Sequence, residues 1–338
     1  MREIDASDGG GQLLRTSLAL AALTETPVQL TGIRGSRPNP GLKPQHKAAV
    51  DVIADATDAT VEGVALDSES LTFDPKSTPE GHVGIDIGTA GSITLLFDTL
   101  FPLAVGLSEP FAVSVTGGTE VKWSPPLSTY TRVKLPLCRA FGLQAAIERH
   151  RTGFYPAGGG RATMYLSPSS LSPIRLTERG TLEGIRLYSR ESHHLADQSV
   201  AKRQAGTARS ELEALDLPVV EESVTTADTD SPGSALAIVL EYEHTRAGFD
   251  ALGERGKPAE EVATDAVESA RQFHEGTAAV DRHIADQLLV FLALAGGEVL
   301  IPEMTDHVET SIELLETFGF DLVARLDEGT DCFLVSAE

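Results

Sequence analysis

Five cations and a single acid occupy the 39 residues from Gly9 to Lys47: Arg15, Arg34, Arg37, Lys43 and Lys47 against Glu25. The whole chain has a formal charge of −23, so this stretch, at net +4, leaves −27 on the remainder. A basic island in so acidic a chain points to an anionic ligand. Three of the five cations are arginines, whose planar fork matches phosphate or carboxylate bidentately. Glycine-rich punctuation alternates with them: Gly9-Gly10-Gly11, Gly32, Gly35 and Pro38-Asn39-Pro40-Gly41. Glycine allows close approach of backbone to a ligand, and the free N–H groups of a helix start attract anions.

The chain that must position these residues has 338 residues, 41% of them hydrophobic, enough for a full core and about two domains. Its longest apolar stretch, Ile93 to Leu107, is broken by Asp98 and Pro102 and falls short of the ~18 residues that cross a bilayer. No apolar leader follows Met1, so a cytoplasmic protein with no membrane association is expected. Two cysteines, Cys138 and Cys332, exclude a disulfide framework and a cysteine-based zinc site. Only 7 of the 27 basic residues are lysine, against 50 acids. Acid excess with scarce lysine resembles proteins of organisms that hold molar salt in the cytoplasm, where charge repulsion is screened within about 3 Å. The −23 then describes the solvent and does not exclude nucleic acid.

Three segments read alike. Gly9 to Thr31 offers a glycine turn, an apolar helix (Leu13 to Leu23) and a strand (Val28 to Thr31). Gly88-Thr89-Ala90-Gly91 followed by Ile93 to Phe101 and Phe111 to Val115 repeats this, as does Gly276-Thr277-Ala278-Ala279 followed by Ile284 to Leu294 and Glu298 to Ile301. Each is followed by a second helix (Gln45 to Ala56, Tyr130 to Phe141, His307 to Phe318) and a β-rich tail. The starts fall about 80 and then about 190 residues apart, which places an insertion of roughly 100 residues between the second and third units. The fold expected is α+β: three βαβαββ-type repeats form a large domain (1–179 with 266–338), and a smaller α/β domain (180–265) is inserted before the third repeat. The insert should hold strands at Leu182 to Tyr188 and Leu236 to Tyr242, helices at Leu195 to Leu215 and Pro258 to Phe273, and an acidic loop between Thr225 and Ser234.

More specific motifs follow one another along the chain. They are Gly9-Gly10-Gly11-Gln12-Leu13-Leu14-Arg15, Arg34-Gly35-Ser36-Arg37, Pro40-Gly41-Leu42 with Gln45-His46, and Gly88-Thr89-Ala90-Gly91-Ser92, then Gly117-Gly118-Thr119, Gly153-Phe154-Tyr155-Pro156-Ala157-Gly158-Gly159-Gly160, Gly253-Glu254-Arg255-Gly256 and Ala285-Asp286-Gln287-Leu288. In this order they closely resemble the RNA 3′-terminal phosphate cyclases, from about residue 5 to the C-terminus. The resemblance implies an ATP-dependent, AMP-forming ligase that converts an RNA 3′-phosphate into a 2′,3′-cyclic phosphate. A histidine would take AMP from ATP, pass it to the RNA 3′-phosphate, and the vicinal 2′-OH would then expel it. The family's nucleophile lies in a His-x-x-Thr-x-Ile context, here His307 with Thr310 and Ile312. Neutral imidazole is a competent nucleophile near pH 7.

By the same resemblance, Arg15, Arg34, Arg37 and Gln45 would hold the triphosphate and the RNA terminal phosphate. Asp286 would be an active-site acid, and Asp98, Pro125, His283, Gln287 and Gly253 would contact the nucleotide. A divalent metal, Mg2+ or Mn2+, would use Asp8. Some positions depart from the pattern: Asp8 stands for a longer Glu, His283 for a Tyr that stacks on adenine, and Asp98 for Gln. The expected partner is RNA with a 3′-phosphate end; no obligatory protein partner is called for, and a homodimer stays open. The insert, poor in these motifs, is expected to be dispensable for adenylylation. One rival reading is a catalytically inactive cyclase-like ribosome-biogenesis factor, which lacks the histidine. Another is an enolpyruvyl transferase, which carries six such units where this chain shows three.

Overall fold

The computed structural model describes residues 1–338. It is a mixed α/β molecule of four small sheets and nine α-helices. The first sheet is built from β1 (Arg2–Asp5), α1 (Gly10–Leu23), β2 (Val28–Thr31), α2 (Pro44–Ala56), β3 (Thr60–Glu62) and β4 (Leu71–Asp74), with strand order β1-β2-β4-β3. β1 runs parallel to β2, and the remaining pairs are antiparallel. α1 buries Leu13, Leu14, Ser17, Leu18 and Ala21, one stripe of a 3.6-residue period. The second sheet uses β5 (Gly81–Asp86), α3 (Ile93–Leu100), β6 (Phe111–Gly117), α4 (Leu127–Thr129), α5 (Leu135–Ala140), β7 (Ala145–Arg151) and β8 (Gly160–Leu166). Its order, β5-β6-β8-β7, has the same parallel and antiparallel pattern.

Next come β9 (Ile174–Leu176), β10 (Leu182–Ser192), α6 (Val200–Ala214), β11 (Val219–Ala227), β12 (Ser234–Tyr242), β13 (Arg246–Leu252) and α7 (Ala259–Glu275). Strands β10 to β13 form a sheet of their own, ordered β11-β10-β12-β13, with a separate core of 13 buried residues. All nine residues of β12 are buried, as a central strand covered on both faces requires. The chain closes with α8 (Arg282–Ala295), β14 (Gly297–Ile301), α9 (Asp306–Thr317), β15 (Leu322–Leu326) and β16 (Phe333–Ala337). The last sheet is ordered β15-β16-β14-β9, with β9 parallel to β14. A larger core of 65 buried residues runs from Ile4 to Val335.

Several details differ from the sequence expectations. β9, a member of the last sheet, precedes the β10–β13 sheet, so the latter falls after that sheet's first strand and not ahead of it. Three residues are too few to show alternation. β11 occupies part of the expected acidic loop, and β13 follows β12 directly. α7 runs on to Glu275, past the boundary expected at 265. The helix expected from Leu195 breaks at Ser199, which has φ 49°. The helix expected over Tyr130 to Phe141 contains a wide π turn from Tyr130 to Lys134, where the Leu135 amide donates to the Tyr130 carbonyl. Pro136 follows and has no N–H to continue an ordinary ladder.

Candidate functional site

One cleft of about 490 Å3 collects side chains from all along the chain. Three helix starts frame it. At α1 the turn Gly9-Gly10-Gly11 is required sterically: Gly10 has φ 59°, and a Cβ on Gly11 would collide with His46 Nε2 and lie 3.0 Å from Arg15 Nη1. At α8 the buried Asp281 caps the helix, accepting from His283 N and Ile284 N at 2.9 Å each. At α9 Thr305 Oγ1 accepts from Val308 N at 3.2 Å. These caps satisfy N-terminal donors and hold the first turns still.

His307, the second residue of α9, opens onto the cleft. Its Nδ1 contacts Gln12 Oε1, and Gln12 Nε2 donates to the buried Ser311 Oγ at 2.6 Å. In this orientation the amide turns its carbonyl toward His307. The proton then sits on Nδ1, leaving the Nε2 lone pair free. Burial, then the charges of Arg37 and Arg15, hold His307 below the usual imidazole range, which favours the neutral ring. The motif's Thr310 spends its hydroxyl on the Asp306 carbonyl at 2.7 Å.

The cleft wall also gathers Arg15, Asp98, Pro125, His283, Asp286 and Gln287. Asp98 Oδ1 accepts from Lys134 Nζ at 2.5 Å. Arg15 has its guanidinium pKa pulled down by burial, against the opposing charges of Asp98 and Asp286. Burial pushes the Asp286 carboxyl up to about 7, against the cations Lys134 and Arg15. The Pro125 carbonyl accepts from Thr94 Oγ1 at 2.8 Å.

The rest of the basic island lies around the glycine turn. Lys43 and Lys47 are ion-paired to Asp67 and Asp51 at 2.5 and 2.6 Å. That leaves the three arginines as cations without a carboxylate partner. Arg37 lies over Gly10, 3.3 Å from where a Cβ would stand, and its charge reaches His307. Arg34, at φ 57°, donates to the Asn39 and Gly41 carbonyls at 2.8 and 2.9 Å. Gln45 Oε1 accepts from Ser92 N at 3.2 Å, tying α2 to the glycine turn before α3. Burial, then the charges of Arg15, Arg34 and Lys43, bring His46 down to about 3, so it is a neutral packing partner.

Five expected residues do not line the cleft: Arg34, Arg37 and Gln45 lie around the glycine turn, and Gly253 and Asp8 lie elsewhere. Gly253 packs instead against Ser234, to whose carbonyl its N–H donates at 2.8 Å. Asp8 is exposed, and no three His, Cys, Asp or Glu side chains converge anywhere to hold a metal ion.

Other lining residues had no assigned role in the sequence reading. Gln12 stood inside a quoted motif, yet its contact with His307 spans 295 positions. Lys134 and Tyr130 face the cleft from the π turn, and the buried Tyr130 hydroxyl has no hydrogen-bond partner. Trp123, the chain's single tryptophan, stands 96% exposed at φ 62° on the rim. A bulky side chain in the left-handed region is an uncommon arrangement for a ring left in water. Gly248 and Asp250 of β13 line the cleft as well; Gly248 N donates to Asp281 at 3.1 Å and Thr129 Oγ1 to Asp250 at 3.1 Å. The segment expected to be dispensable therefore forms part of the wall and supports the α8 cap.

The raised carboxyl at Asp286 has a measurable consequence. Its folded value of about 7 exceeds the ordinary 3.8. Between those values the folded state keeps a proton that the unfolded chain has lost, so stability falls as pH rises through this window. Asp286→Asn is expected to raise stability by about 1–2 kcal/mol near pH 8, with the gain vanishing toward pH 4. Denaturant midpoints of variant and parent across that range check it; a variant no more stable at pH 8 contradicts the assigned burial.

The comparisons with known proteins agree with one another. The RNA 3′-terminal phosphate cyclase family profile matches residues 6–321. A protein of Halobacterium salinarum named RNA 3′-terminal phosphate cyclase is 44% identical across 97% of this chain and 98% of its own length. Proteins of the same name from Pyrococcus furiosus and Nitrosospira multiformis are each 39% identical, across 93% and 94% of this chain and 92% and 91% of their own lengths. On the extent of these matches, the chain belongs to the RNA 3′-terminal phosphate cyclase family.

Proposed function

We propose that this protein uses ATP to cyclise an RNA 3′-phosphate through a covalent histidine–AMP intermediate. The observation that carries the reading is the Ser311–Gln12–His307 relay, which leaves a neutral imidazole with Nε2 free beside unpaired arginines. In the first step Nε2 forms a bond to the α-phosphorus of ATP, the α–β bridging bond breaks, and pyrophosphate departs with the electron pair. In the second, an RNA 3′-phosphate oxygen attacks the same phosphorus, and the phosphoramidate bond breaks to restore the imidazole. In the third, the 2′-OH attacks the activated terminal phosphorus, loses its proton, and AMP leaves.

Such transfers need positioning and charge neutralisation more than covalent chemistry from the protein. Arg15 and Arg37, close to His307 and without carboxylate partners, supply the positive field for phosphates; Arg34 shapes the loop that carries Arg37. Asp286, buried and paired to neither, lies within the field of Lys134 and Arg15. His283 and Pro125 offer flat surfaces for adenine, and Gln287 and Tyr130 offer polar contacts.

The architecture favours this reading. The sheets ordered β1-β2-β4-β3, β5-β6-β8-β7 and β9-β14-β16-β15 share one pairing pattern. We read them as three repeats of a unit around the larger core, with β10 to α7 as an inserted smaller domain. Incubation with ATP followed by intact-mass analysis tests the chemistry: one added AMP is expected, removable by RNA bearing a 3′-phosphate.

The relay itself makes a separate prediction. Gln12→Ala should slow self-adenylylation on the order of 100-fold by releasing the ring from its tautomer and orientation. Gln12→Glu, which keeps an acceptor at Nδ1, should recover part of the rate and shift its pH dependence upward, since a carboxylate favours imidazolium. Equal rates in all three proteins would remove Gln12 from the mechanism.

A further inference from the structure

A second crevice, of about 680 Å3, opens where the sheets of β7–β8 and β10–β11 meet. Of its eleven lining residues only Ala227 is apolar; four are arginines, Arg149, Arg151, Arg161 and Arg190, and the one acid is Asp228. In a chain with 50 acids and 27 cations, four guanidiniums facing one space is a concentration that calls for an anion. The protein compensates it only in part. Arg151 grips Asp230 bidentately at 2.7 and 2.8 Å. Arg149 meets the buried Glu120 at 3.1 Å and Ser128 Oγ at 2.9 Å, yet its Nη1 is buried with no partner.

The other two arginines reach no carboxylate. Arg190 donates only to Thr152 Oγ1, at 3.0 Å, and burial beside Arg149 holds it down to about 10. Arg161 is exposed. A half-buried guanidinium with no counter-charge is costly, and a ligand anion would relieve that cost.

We propose that this crevice is a second phosphate site, gripping the RNA backbone upstream of the 3′ end that enters the histidine cleft. The proposal rests on the functional reading above. No Phe, Tyr or Trp lines the crevice, and its one ring, His150, is held by Thr163 Oγ1 at 2.9 Å; arginines with Thr116, Thr152 and Thr226 suit a backbone read without regard to sequence. The two sites flank the same helical turn: Arg149 bonds Ser128, and the adjacent Thr129 lines the histidine cleft. Arg149 and Arg190, partly enclosed, also suit molar salt, because screening acts far less on groups shielded from solvent than on an open lysine patch.

The test compares Arg161→Gln/Arg190→Gln with the parent, using a labelled oligoribonucleotide 3′-phosphate of about 12 nucleotides and a dinucleotide 3′-phosphate. Anisotropy should show the long RNA bound about tenfold more weakly, with the salt slope shallower by about 1. Labelling by ATP alone and cyclisation of the dinucleotide should stay within about twofold of the parent, because neither reaches the crevice. Arg161→Gln alone, at an exposed position, should move in the same direction and keeps the test open should the double variant fail to fold. Unchanged long-RNA affinity, or equal losses for both lengths, overturns the proposal. So does a calorimetric site for inorganic phosphate that the double variant loses while long-RNA affinity stays the same. Failure of the parent to cyclise either RNA would count against the reaction, while the anisotropy result still decides the crevice.

Discussion

His307→Ala is expected to abolish the covalent AMP adduct and to lower cyclisation by about 10⁴-fold or more, leaving the fold intact. A nucleophile lost from a covalent mechanism cannot be replaced by the remaining positioning groups, which is why such losses are large. Stability should hardly change, because the ring opens onto the cleft at the first turn of α9 and its removal leaves no core cavity. Intact-mass analysis after ATP incubation, beside a thermal melt, separates the two effects. An adduct that persists in the folded variant would transfer the role to His283, the other histidine lining the cleft. His46 is a poor substitute, since it is buried and packs against Gly11 and the Lys43 amide.

Below about 1 M KCl the protein is expected to lose its fold, and activity should drop at least about tenfold at 0.1 M although the substrate is a polyanion. The excess of 50 acids over 27 cations leaves carboxylates that repel one another once the Debye length grows beyond about 3 Å. Phosphate contacts act in the opposite direction, weakening as salt rises with a slope of about −0.7 per phosphate held on a single strand. A site that grips a few phosphates has a shallow slope, whereas self-repulsion acts on the whole chain, so folding should dominate. Circular dichroism and cyclisation followed together across a KCl series would show it. Full structure and maximal activity at 0.1 M KCl would contradict this account of the charge. The 44% identity to a protein of Halobacterium salinarum is consistent with the molar-salt reading.

Much of the fold and several site residues were legible in the sequence because their signals are local. Apolar segments after glycine turns located α1, α3 and α8, and the strand segments that follow located β2 and β6, whose burial alternates. The glycine turn before α1, the arginines following it and the His-x-x-Thr-x-Ile context of His307 could all be read without coordinates. β9 was too short for a pattern, and β11 and β13 lay among turn-forming residues.

Only the tertiary structure could decide what depends on contacts between distant positions. Gln12 lies 295 residues from His307 and 299 from Ser311, yet its side chain meets both. Asp286 owes its raised carboxyl to burial that no local pattern encodes, and Lys134 reaches Asp98 through a π turn produced beside Pro136. β13 carries no motif of the resemblance and still supplies Gly248 to the α8 cap. Arg149, Arg151, Arg161 and Arg190 were four scattered cations until two sheets met. The chain alone determined which residue types were present and how they were spaced locally. Folding determined which of them lost water and which charges were left without a partner, because desolvation and pairing depend on neighbours brought together from across the chain.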